Sequence, residues 1–97
     1  MKIINRPRAG GKTTEAIKQS NKEWKYILTT DRKRVEQIAK LAQDLNIDIP
    51  FPITVDELLR SHYLVGSRVK GLIIDELDDV LFALTRHEVS LATLTEK

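Results

Sequence analysis

With 97 residues, the chain has room for one domain (residues 1–97) and one core, but not for a second lobe. A net charge of +2 tolerates phosphate or nucleic acid without demanding either, and the lack of cysteine excludes a disulfide scaffold or a thiolate zinc site. No run approaches the roughly 20 apolar residues that span a bilayer, and Met1 to Pro7 lacks the apolar stretch of a signal peptide, so a cytoplasmic protein with no membrane partner is expected.

In chain order, Lys2 to Asn5 reads as a short strand feeding a loop, Arg6 to Gly11, that carries a proline and two glycines. Thr13 to Lys22 reads as a helix with Ala16, Ile17 and Ser20 on one face. Trp24 to Thr29 is a second strand. Thr30 or Asp31 can cap a long helix running to about Leu45, whose Val35, Ile38, Ala39, Ala42 and Leu45 keep helical spacing. Ile49 to Pro52 is extended but broken by prolines, so any strand there is brief or at an edge. Thr54-Val55-Asp56-Glu57 is a capping box, with Ile53 and Leu58 as a staple, and its helix ends near His62. Gly71 to Asp75 is an apolar run ending in an acid, which suits a strand buried on both faces. Glu76 to Arg86 is helical, with Leu77, Val80, Leu81 and Leu84 inward. Val89 to Thr95 is rich in β-formers and reads as a last strand. Strands alternating with helices imply parallel pairing in a three-layer α/β sandwich, with ligands at the carboxyl ends of the strands.

Two motifs carry chemistry. The first is Arg8-Ala9-Gly10-Gly11-Lys12-Thr13-Thr14, set between a strand and a helix. Glycines there let backbone N–H groups converge on phosphate oxygens, and the helix that follows points its positive end at the same anion. Lys12 would reach the β- and γ-phosphates, the Thr13 hydroxyl would ligate Mg²⁺, and Thr14 would donate to the α-phosphate. Arg6 stands where the usual pattern begins with glycine, and Pro7 restricts it to extended geometry. Arg6 and Arg8 are either extra cations for the phosphates or ordinary solvated side chains.

The second motif is Asp75-Glu76 at the end of the apolar run. Asp75 would hold Mg²⁺ through water, and Glu76 would orient and deprotonate an attacking water. The competing reading is a strand-end acid that caps the next helix. Asp78 and Asp79 read as a solvated helix start, and His62, His87 and Trp24 have no partner pattern.

Together these motifs resemble the P-loop nucleoside-triphosphatase superfamily, in its additional-strand division with a catalytic glutamate. More narrowly, the chain resembles a minimal first RecA-like core of superfamily 1 and 2 helicases. Arg8 to Thr14 is similar to motif I and Ile73 to Glu76 to motif II. Tyr26 to Thr30, Ile53 to Leu59 and Val89 to Thr93 look like the segments between and after them. Small phage-encoded P-loop proteins look similar. The resemblance implies a sheet in the chain order 3-2-4-5-1, Mg²⁺ and ATP as ligands, and Thr93 or Thr95 facing the γ-phosphate. It also implies an arginine supplied by a second core or a neighbouring subunit, with Arg68 and Arg86 of a second copy as candidate donors in trans and neither standing out.

Arg32, Lys33 and Arg34 open the long helix, where positive charge opposes the macrodipole. They are either a contact for single-stranded nucleic acid or a solvated face. The expected function is Mg-ATP binding with slow hydrolysis. The alternative is a nucleotide-gated interaction module with little turnover.

Overall fold

The computed structural model describes residues 3–4, 11–61, 69 and 71–95. The strand expected at Lys2 to Asn5, the loop from Arg6 to Gly10 with Arg8, Ala9 and Gly10, and also His62 and Arg68, lie wholly or partly outside them. Ile3 and Ile4, which are described, carry no strand.

Helix α1 spans Lys12–Glu23. Gly11 precedes it at φ 76°, ψ 19°, a left-handed conformation that costs L-residues roughly 1–2 kcal/mol. Space is not the constraint, since a Cβ at Gly11 would meet nothing within 4 Å. Gly11→Ala is therefore expected to lower unfolding free energy by about 1–2 kcal/mol in a urea titration, through the backbone alone. Ile17 and Ser20 face inward. Trp24 closes the helix in a left-handed C-cap, so the next strand begins two residues later than its composition suggests.

Strand β1 is Tyr26–Thr29, helix α2 Arg32–Asp44, strand β2 Ile53–Thr54, helix α3 Val55–Ser61, strand β3 Leu72–Ile74 and helix α4 Leu77–Thr85. The Asp31 side chain caps α2, accepting from the Arg34 backbone N–H. Pro50 and Pro52 lack the N–H a ladder needs, and pairing starts only at Ile53. The capping box forms: the Thr54 N–H donates to Glu57 Oε1 at 3.2 Å, and the Glu57 N–H donates to Thr54 Oγ1 at 3.1 Å.

All pairing is parallel, in the order β2-β1-β3, with Leu28 opposite both Ile53 and Ile74. Successive β1 residues serve opposite faces, as the pleat requires. Ile27 packs with Ile17, Ile38 and Ala42 of α1 and α2, whereas Leu28 packs with Ile53, Val55 and Val80, which brings in α3 and α4.

This α/β sheet corrects the RecA-like expectation. It has three strands among the described residues, and the chain is too small for a five-strand core in the order 3-2-4-5-1. Residues 89–95 form no strand: Val89, Leu91 and Leu94 are exposed, Leu91 at 82%. β-Formers without a neighbouring backbone to pair with have no reason to extend into a sheet. β3 is not sealed on both faces either, since Ile74 is 40% exposed. In α4, Val80 is buried but Leu84 points outward. No described helix is long and apolar enough to cross a membrane.

Candidate nucleotide site

Parallel topology sets the start of α2 and the end of β3 at one end of the sheet, and the Arg34–Thr13 hydrogen bond brings the start of α1 to them. Four residues from these elements meet there, and Glu76 adds a fifth. Asp75 follows β3 directly, and its N–H donates to the Leu28 carbonyl at 3.1 Å, which prolongs the β1–β3 pairing. Its side chain is 3% exposed. A carboxylate so buried needs a cation and hydrogen bonds, and Arg34 supplies both. Arg34 Nε and Nη2 donate to Asp75 Oδ2 at 3.0 and 2.9 Å. The same Nη2 donates to Thr13 Oγ1 at 2.9 Å.

Lys12, the first residue of α1, places Nζ 3.0 Å from Glu76 Oε1. Glu76 stands at φ 60°, ψ 75°, just ahead of α4. Left-handed backbone at a residue other than glycine costs on the order of 1–3 kcal/mol and gathers at functional positions. Glu76 does not cap α4 with its side chain; its carboxylate turns to Lys12 instead. The capping role weighed for this acid is therefore not the one it plays. Thr14 is half-buried one residue along α1, outside the hydrogen-bonded group. Asp78 and Asp79 are exposed in the first turn of α4.

Arg32, Lys33 and Arg34 do not form one solvent-facing stripe. Arg34 is turned into the site, Arg32 pairs with Glu57 at 3.3 Å and lies 5.9 Å from the Phe51 ring centroid, and Lys33 is exposed. Thr93 and Thr95, expected near the γ-phosphate, are exposed coil residues, because the strand that was to carry them is not formed.

Sequence reasoning reads Arg34 as a nucleic-acid contact or part of a solvated face, not as the partner of Asp75 and Thr13. Its positive charge at a helix start is unfavourable to the dipole, and an acid ending an apolar strand requires a counter-charge. Those two facts were the available signal, but only the parallel topology joins residues 34 and 75.

Mg²⁺ takes hard oxygen ligands, and Thr13 Oγ1 and Asp75 Oδ2 are of that kind. Both accept from Arg34 Nη2, and among the described residues the carboxylates grouped closely enough to share a metal ion are those of Glu76, Asp78 and Asp79. No family model, curated protein or solved structure matches the chain, and any assignment of function stands on this geometry.

Proposed function

We propose that the chain binds a Mg-nucleoside triphosphate, with ATP as the reference ligand, at the start of α1, and that it hydrolyses it slowly. The observation that carries this reading is the meeting of Lys12 and Thr13 with Asp75 and Glu76 at the carboxyl end of a parallel sheet, where α/β folds take ligands. Resemblance to P-loop nucleoside triphosphatases supports the same assignment. It is carried by the motifs alone, on a sheet smaller than a RecA-like core.

In this reading, Lys12 leaves Glu76 for the β- and γ-phosphates, joined by N–H groups at the start of α1. Thr13 and Asp75 would hold Mg²⁺, which would neutralise charge on the phosphates. Glu76 accepts a proton from water. The water oxygen bonds to the γ-phosphorus as the bond to the β,γ-bridging oxygen breaks, giving the diphosphate and inorganic phosphate.

A thermal-shift series with Mg²⁺ and ATP, ADP or GTP tests the binding claim. Saturation at about 100 times the dissociation constant should stabilise the fold by about 2.7 kcal/mol. Lys12→Ala should abolish that shift while costing the ligand-free fold under about 1 kcal/mol, the worth of a partly exposed pair. No shift with any nucleotide in the unmutated protein would refute the reading.

The second reading, a nucleotide-gated interaction module, is favoured by apolar side chains open to a protein partner or second copy: Ile74 is 40%, Phe82 53% and Leu84 46% exposed. Coupling to single-stranded nucleic acid has less support, since Arg32 and Arg34 are engaged within the fold. A cytoplasmic setting belongs to the same proposal.

A further inference from the structure

Arg34 sits where the metal of the proposed site would be needed. Its Nη2 is 2.9 Å from Thr13 Oγ1 and 2.9 Å from Asp75 Oδ2, the two oxygens to which the proposed function assigns the metal. A guanidinium nitrogen and a metal ion cannot occupy one place between the same ligands. The neighbouring pair repeats the pattern, since Lys12, the phosphate-binding cation, is held by Glu76 at 3.0 Å. The site holds two cation–carboxylate pairs, Arg34–Asp75 and Lys12–Glu76.

We propose that Arg34 is a resident cation, which holds the metal position between Thr13 and Asp75 while the site is empty of nucleotide, and swings to the phosphates when nucleotide and divalent cation bind. The proposal deepens the Mg-nucleotide reading and rests on it. Binding is then an exchange of partners. The carboxylates of Asp75 and Glu76 give up side-chain cations, and Arg34 and Lys12 carry their charges to the triphosphate. The geometry permits the movement. Arg34 is anchored in the first turn of α2, one-third of its side chain is open to solvent, and its guanidinium already touches Thr13 beside the start of α1. A planar fork of donors suits phosphate oxygens as well as it suits a carboxylate. Arg34 would thus bring a second cation, beside Lys12, to the triphosphate.

Two consequences have opposite sign. An arginine beside an aspartate lowers the carboxylate's affinity for a proton by about one to three powers of ten, and a metal ion at the same oxygens meets the same competitor. In Arg34→Gln, Mg²⁺ alone should therefore bind at least about tenfold more tightly than in the unmutated protein, because its competitor is gone. ATP in the presence of saturating Mg²⁺ should bind about tenfold more weakly, since a charge-assisted contact to phosphate is lost. A side chain that only braces the fold would not move the two affinities in opposite directions.

The test is isothermal titration of Mg²⁺, and then of ATP at saturating Mg²⁺, into both proteins. It is accompanied by ¹⁵N NMR of the Arg34 Nε–H in the unmutated chain, a readout that does not depend on the variant folding. The expected NMR result is that the Arg34 Nε–H signal moves to the position and solvent exchange of a released arginine once Mg-ATP is added. Mg-ATP binding by the unmutated protein, with no gain in Mg²⁺ affinity in Arg34→Gln or with an unmoved Nε–H signal, overturns the role of Arg34 and leaves the nucleotide reading standing. Absence of Mg-ATP binding in both proteins overturns both.

Discussion

Glu76→Gln is expected to retain Mg-ATP binding and to lose turnover by about 10²–10⁴-fold, the range for removal of a general base. Binding should survive for a structural reason. The Glu76 carboxylate holds Lys12 in the ligand-free site, and a neutral amide holds it less strongly, so nucleotide affinity should stay level or rise. Single-turnover hydrolysis alongside equilibrium binding separates the two effects. A variant that hydrolyses at the parental rate would leave Glu76 as no more than a tether for Lys12.

The second large effect is on stability, and it is asymmetric across one ion pair. Arg34→Ala strands the Asp75 carboxylate, whose side chain is 3% exposed. Breaking a buried pair this way costs roughly 3–5 kcal/mol, and the lower end applies because Arg34 is one-third exposed. At about 4–8 °C per kcal/mol for a domain of this size, the melting temperature should fall by on the order of 12–24 °C. Asp75→Ala should cost less, since the long Arg34 side chain can carry its head group out to water and a buried acid cannot follow. Thermal melts of both variants at neutral pH check the order. Equal losses at neutral pH would mean that Asp75 gains its support from elsewhere.

Local signals survived best between sequence and structure. The Thr54–Glu57 capping box and the Asp31 cap depend on residues three apart, and Val35, Ile38 and Ala42 are buried as their spacing required. Of the first motif, Gly11 to Thr14 precede and open a helix, Arg8 to Gly10 lie outside the described residues, and the second motif follows a strand. Features that depend on distant chain were not legible. Val89 to Thr95 has strand composition, but no described backbone pairs with it. Leu84 keeps helical spacing, yet α4 is covered only as far as Val80 and Ala83. The partner of Asp75 lies 41 residues away in sequence, and no local pattern distinguishes Arg34 from Arg32 or Lys33. The left-handed backbone of Glu76 had no signal either, because glycine is the residue that ordinarily marks such a position.

Binding of a Mg-nucleotide among Lys12, Thr13, Asp75 and Glu76 is tested most directly by a crystal structure of the chain with Mg²⁺ and a non-hydrolysable ATP analogue. The predicted result is a triphosphate at the start of α1, with Lys12 on its β- and γ-phosphates, and with the Lys12–Glu76 and Arg34–Asp75 pairs both open. A structure grown at saturating analogue with both pairs still closed and no triphosphate beside Lys12 would contradict the account.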